Sequence, residues 1–152
     1  MPNYGGSANY LNFIEKELIP FIEEKYKGNG HRTIIGESLA GLLLTQILFE
    51  RPTLFENYII MSPSLWWGNE VLLSDKAVIK PNPTKTKLQV YLGIPAKSDN
   101  KIMYDDGVAL SKILQARSDI NFKFDYLPTE THASVMHQAV YNALKKFNFV
   151  KK

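Results

Sequence analysis

The chain has 152 residues, 45% hydrophobic, 12% aromatic and 22% charged, a composition that excludes a disordered or fibrous polypeptide and fits a single domain with one core. Its 18 Lys and Arg against 15 Asp and Glu leave a net charge of +3. The lysines are scattered, several near the C-terminal end (Lys145, Lys146, Lys151, Lys152), with no basic stripe interleaved with aromatics, so no nucleic-acid partner is expected.

With no cysteine, disulfides, thiolate metal sites and a thiol nucleophile are all excluded. No apolar run of about 18 residues exists and no basic-then-apolar leader opens the chain. No membrane contact is expected, no cofactor or metal is called for, and the compartment is left open.

In chain order, Asn9 to Tyr26 reads as an amphipathic helix with Leu11, Ile14, Leu18, Phe21 and Ile22 on one face. Pro20 should kink or split it, and Gly28-Asn29-Gly30 ends it. Thr33–Ile35 is a short strand, followed by a helix from Ser38 to Glu50 that Arg51-Pro52 closes. Tyr58–Met61 is a strand running into Ser62-Pro63-Ser64, with a short helix at Glu70–Leu73 and a loop at Pro81-Asn82-Pro83. Leu88–Ile94 is a strand, Asp105–Gln115 a helix, Phe122–Leu127 a strand, and Ser134–Phe149 the last helix. The strands are apolar throughout rather than alternating, which is the mark of a parallel sheet covered on two sides. The expectation is a single α/β domain over residues 1–152, with about four parallel strands and helices on both faces.

Gly36-Glu37-Ser38-Leu39-Ala40-Gly41 follows a strand and opens a helix, the setting in which a G-x-S-x-G turn projects a nucleophilic serine. Small residues two positions either side let that sharp turn close. Gly36 supplies the first, and Ala40 stands where glycine is usual. The first N–H of the helix, on Leu39, is placed to donate to an oxyanion. The competing reading is that Ser38 only caps the helix.

A serine nucleophile needs a base, usually histidine. His31 sits in a polar turn and His137 within the last helix. His132, in Thr131-His132-Ala133-Ser134, follows the fourth strand at its carboxyl end, where α/β enzymes build their sites. The order Ser38, acid, His132 leaves the loop after Ile94 for the acid. There Asp99 lies nearest the strand, while Asp105 and Asp106 suit the start of the next helix. Asp99, Asp105, or a Ser–His dyad without a carboxylate stay open. Trp66 and Trp67 either close the core or line a substrate pocket.

Phe13–Pro20, Gly36–Gly41, Ser62-Pro63-Ser64-Leu65-Trp66-Trp67 and Glu130–Val135 together resemble the esterase D-like branch of the α/β hydrolases, the family containing enterobactin esterase and its periplasmic relatives. The resemblance spans nearly the whole chain but only the C-terminal part of the family's fold. It implies a partial α/β-hydrolase fold and an esterase acting on a small-molecule carboxylic ester. Ser38 matches the family's nucleophile and His132 its base, and Glu37 stands where the family often has histidine. Members carry further residues upstream, holding the first strands and a second oxyanion donor. On that view the chain is a fragment or half-domain, the loop-like opening Met1–Ser7 agrees, and Thr33–Ile35 becomes an exposed sheet edge suited to a homodimer. The alternative function is a catalytically silent module that binds or assembles through that edge.

Overall fold

Four apolar runs become the strands of one parallel sheet in this computed structural model, which describes residues 6–147. They are β1 (Thr33–Ser38), β2 (Asn57–Pro63), β3 (Leu88–Pro95) and β4 (Ile120–Leu127), in spatial order β1-β2-β3-β4, with every neighbouring pair parallel. Each strand is longer than its apolar run, the pairing extending to Glu37-Ser38 in β1, Asn57 in β2, Pro95 in β3 and Ile120-Asn121 in β4. The expected end of the final helix at Phe149, residues 1–5 of the Met1–Ser7 opening, and Lys151 and Lys152 lie outside the described residues.

The chain divides into two compact units, Met1–Arg32 and Thr33–Lys152. In the first, the expected single helix is α1 (Ser7–Phe13), a π-helical turn (Ile14–Leu18) and α2 (Ile19–Tyr26). Pro20 does not break the run, which passes from α1 through the π-helical turn into α2 without a gap. The Ile19 N–H bonds the Ile14 carbonyl five residues back, and this wider turn accommodates a residue that lacks an N–H and crowds the preceding turn. Lys27, left-handed at φ 47°, ends α2.

In the second unit, α3 (Leu39–Glu50) follows β1, α4 (Lys101–Gln115) follows β3 and α5 (Val135–Lys146) follows β4. A Cβ on Gly107 of α4 would meet Ile94 at 2.7 Å, and one on Gly93 would meet Ala139 of α5 at 3.0 Å. Gly93 and Ile94 are consecutive in β3 and point to opposite faces, so α4 and α5 cover the two sides of the sheet. Gly36 shares the α4 side by register with Ile60 and Leu92, and Leu44 of α3 packs on it. Tyr58, Ile59, Ile60, Met61, Val90, Leu92 and Ile94 are fully buried, as a doubly covered sheet requires.

On the α5 side, Ile59, Met61, Tyr91, Val135 and Ala139 form the core. There the Tyr91 hydroxyl donates to Asp125, which also accepts from Asn142 (2.8 Å), tying β3, β4 and α5 together. Burial first, then the Asp125 carboxylate, lifts the Tyr91 phenol well above its ordinary range.

The expected start of α4 at Asp105 is corrected by four residues. Asn100 caps the helix, its side chain accepting the Met103 N–H at 3.1 Å. The short helix expected at Glu70–Leu73 is a 3-10 turn at Val71–Leu73. No helix among the described residues is long and apolar enough to cross a membrane.

Candidate active site

At the carboxyl end of β1 the backbone turns sharply into α3. Ser38 occupies the turn at φ 58°, ψ −120°, a conformation an L residue holds only when its surroundings enforce it. Two contacts explain the small residues. A Cβ on Gly36 would lie 2.9 Å from the Ala40 carbonyl carbon, and one on Gly41 would lie 3.0 Å from the Met61 carbonyl oxygen. Ser38 makes no side-chain capping bond to α3, so the helix-cap reading fails. Its Oγ instead lies 3.2 Å from His132 Nε2 and 3.1 Å from Ser64 Oγ.

His132 stands on the loop between β4 and α5. That loop is pinned at several points. Its own N–H donates to Asp99 Oδ2 (2.7 Å), the Ala96 N–H donates to the Glu130 carbonyl (2.9 Å), and Ser134 Oγ donates to Glu130 Oε2 (2.6 Å). Ser134 also accepts the Thr131 N–H at 3.0 Å. The imidazole is therefore aimed by a rigid loop rather than by its own contacts alone.

Neither expected acid meets the ring. Asp99 holds the main chain of His132, not its imidazole. Asp105 pairs with Lys101 and, at 3.7 Å, with Lys97; Lys101 holds its carboxyl below the ordinary value. Because α4 starts at Lys101, Asp105 lies one turn along it, paired with Lys101 of the helix and Lys97 of the loop before it. Asp106 lies mid-helix with Oδ2 buried and unpartnered; burial, then Glu70 and Asp105, raises its pKa.

The group on His132 Nδ1 is Ser62 Oγ, at 2.8 Å. Sequence reasoning gave Ser62 no role. Its backbone is left-handed (φ 38°) and its side chain is buried. The β1–β2 register jumps here, Glu37 facing Met61 and Ser38 facing Pro63, so Ser62 is a bulged residue whose side chain is re-aimed. The available signal was a hydroxyl directly after a buried strand, at the carboxyl end of the sheet.

An open cavity of about 490 Å³ adjoins Ser38 and His132, walled by Glu37, Ala40, Met61 and Met136 among others. Glu37 Oε1 is buried there with no hydrogen-bond partner. Trp66 and Trp67 do not wall that cavity and do not close the core. Each is 45% exposed, and they meet edge-on with ring centroids 5.6 Å apart. They follow Ser64, whose N–H donates to the Ser38 carbonyl at 3.0 Å. Leu39 is half-exposed beside the nucleophile, and as the first residue of α3 its N–H has no carbonyl one turn earlier to bond. His31 and His137 are both exposed. No group of three or more acidic or histidine side chains among the described residues is arranged to hold a metal ion.

A parallel sheet with a serine on a strained strand-to-helix turn, an imidazole after the last strand and helices on both faces defines the α/β-hydrolase type of fold. The chain belongs to the family described as Putative esterase, whose model matches residues 1–144. It is similar to the ferri-bacillibactin esterase BesA of Bacillus subtilis, 31% identical over 151 residues, which cover 95% of this chain and 52% of that protein. It is also similar to the crystal structure of the BES protein from Bacillus cereus, with a TM-score of 0.86, 34% identity, and coverage of 99% of this chain and 57% of that one. A third likeness is to an IroE-like serine hydrolase from Shewanella oneidensis, with a TM-score of 0.79, 26% identity, and coverage of 97% and 50%. The chain thus spans about half the length of these relatives.

Proposed function

We propose that the chain carries the nucleophile and base of a serine carboxylic-ester hydrolase, acting through an acyl-enzyme on Ser38. The observation that carries this is Ser38 Oγ lying 3.2 Å from His132 Nε2 on a turn that makes no cap bond. A separation at the long end of hydrogen bonding is usual in an empty site. In acylation, Ser38 Oγ bonds to the ester carbonyl carbon as its proton passes to Nε2. The carbonyl oxygen becomes an oxyanion facing the Leu39 N–H. The C–O bond then breaks, and the alcohol leaves with the Nε2 proton. In deacylation, water attacks the acyl carbon, its proton goes to Nε2, and Ser38 recovers a proton as the acid departs.

The ferri-bacillibactin esterase, together with a second relative named as a siderophore enterobactin esterase, directs the proposed substrate class to siderophore-type esters. The exposed Trp66–Trp67 pair suits an apolar or aromatic portion of such an ester. The test is turnover of p-nitrophenyl acetate by the chain and by Ser38→Ala and His132→Ala. Both variants should fall to background, because members of a catalytic unit fail together. Hydrolysis that survives Ser38→Ala refutes the reading.

A second reading, an assembly module, draws on the sheet edge. β1 ends the sheet among the described residues, with Thr33 and Ile35 exposed and Ile35 46% so. On this reading the chain forms a homodimer through β1. Sedimentation of a stable monomer at micromolar concentration refutes it.

A further inference from the structure

We propose that Ser62 is the positioning residue of His132, a hydroxyl standing where a carboxylate would otherwise orient the imidazole, and that it leaves the imidazole's tautomer reversible. The inference rests on the Ser38–His132 reading above. Four side chains form one line of contacts: Ser64 Oγ to Ser38 Oγ (3.1 Å), Ser38 Oγ to His132 Nε2 (3.2 Å), and His132 Nδ1 to Ser62 Oγ (2.8 Å). Each hydroxyl both donates and accepts, and a neutral imidazole does one at each nitrogen. The neutral ring has two consistent forms. In one, Ser64 donates to Ser38, Ser38 donates to Nε2, and Nδ1–H donates to Ser62. In the other, both imidazole bonds reverse: Nε2–H donates to Ser38 and Ser62 donates to Nδ1.

Only the first leaves Nε2 free to take the Ser38 proton. A carboxylate accepts without donating and so enforces it, and its charge stabilises the imidazolium formed during attack. A hydroxyl does neither. The charged groups around His132 do not replace that charge at Nδ1. Glu37 lines the same cavity with no hydrogen bond to the ring, Asp99 is bound to the His132 main chain, and Glu130 accepts from Ser134. The bulge at Ser62 and its left-handed backbone show that the fold goes out of its way to aim this hydroxyl.

The experiment uses the chain labelled with ¹⁵N-histidine, together with Ser62→Ala, Ser62→Gly and Ser62→Asp; glycine removes the hydroxyl while suiting the positive φ. The His132 ring ¹⁵N shifts should report mixed tautomers in the parent chain. Ser62→Asp should move them to the Nδ1–H form. In activity, Ser62→Ala or Ser62→Gly should lower kcat by about 3- to 10-fold with KM unchanged, the worth of one neutral hydrogen bond. Ser62→Asp should raise the pH of the acidic limb of kcat by about one unit. Ring shifts that are identical in all four proteins, or an acidic limb that Ser62→Asp does not move, overturn the proposal. An inactive parent chain refutes the Ser38 mechanism instead, and the ring shifts then still report whether Ser62 sets the tautomer.

Discussion

Replacing Gly36 by alanine should damage stability and chemistry together. The new methyl would stand 2.9 Å from the Ala40 carbonyl carbon, 3.0 Å from the Ala40 oxygen and 2.9 Å from Leu44 Cδ1. Leu44 can rotate away, but the Ala40 contacts are backbone of α3, so the helix itself must move. Overpacking of this kind costs about 1–3 kcal/mol, or roughly 2–4 °C in Tm for each kcal/mol in a chain of this size. The same shift carries Ser38 with it. Moving Oγ by about 1 Å from its 3.2 Å contact with His132 takes it out of hydrogen-bond reach and should lower kcat by about 10²-fold. The assay is a urea titration beside p-nitrophenyl acetate turnover, with Gly28→Ala as the control. A Cβ on Gly28 meets nothing within 4 Å, so that variant should change stability by less than about 0.5 kcal/mol. A Gly36→Ala protein with the parent's urea midpoint and turnover refutes the argument that this glycine is what lets the elbow close.

The two aspartates of the loop after β3 should separate. Asp99→Ala frees the main chain of His132 and should lower kcat by about tenfold, whereas Asp105→Ala should leave kcat unchanged; equal effects in a steady-state comparison contradict the contacts described. The Arg117 guanidinium, bonded to Asp119 at 2.7 and 2.9 Å, holds that carboxyl down to about 2. Its folded-state pKa is thus depressed, so this pair stabilises the fold above the ordinary carboxylate range and loses that contribution as pH falls from about 4 to about 2, by about 1–2 kcal/mol. Urea midpoints of Asp119→Asn and the parent should therefore differ at pH 7 and converge in acid. Glu37→Gln removes a carboxylate beside the nucleophile and should speed hydrolysis of anionic esters relative to neutral ones by about fivefold, read as a ratio of kcat/KM values; an unchanged ratio shows that Glu37 does not face the substrate.

Much of this architecture is legible from the residues because two signals are local. Apolar runs such as Tyr58–Met61 and Leu88–Ile94 can only be strands buried on both faces, and helices between them force parallel pairing. The elbow is equally local, since Gly36, Ser38 and Gly41 lie within one turn, and His132 is placed by the strand before it. The orienting group of the imidazole was illegible for a physical reason. Ser62 meets His132 across 70 residues of chain, and a hydroxyl carries no charge that marks it as an acid's substitute. Asp105 misled because the cap of α4 is Asn100, and once the helix starts there Asp105 belongs to Lys97 and Lys101. The π-turn around Pro20 was hidden because the residues on both sides keep helical dihedrals.

The central claim is that Ser38 is a nucleophile activated by His132. Its most direct test is labelling with a fluorophosphonate probe, followed by peptide mapping by mass spectrometry. The account predicts a single adduct on Ser38, formed much more slowly in His132→Ala and absent in Ser38→Ala. An unlabelled Ser38 in a folded chain, or an adduct whose rate is indifferent to His132, would contradict it.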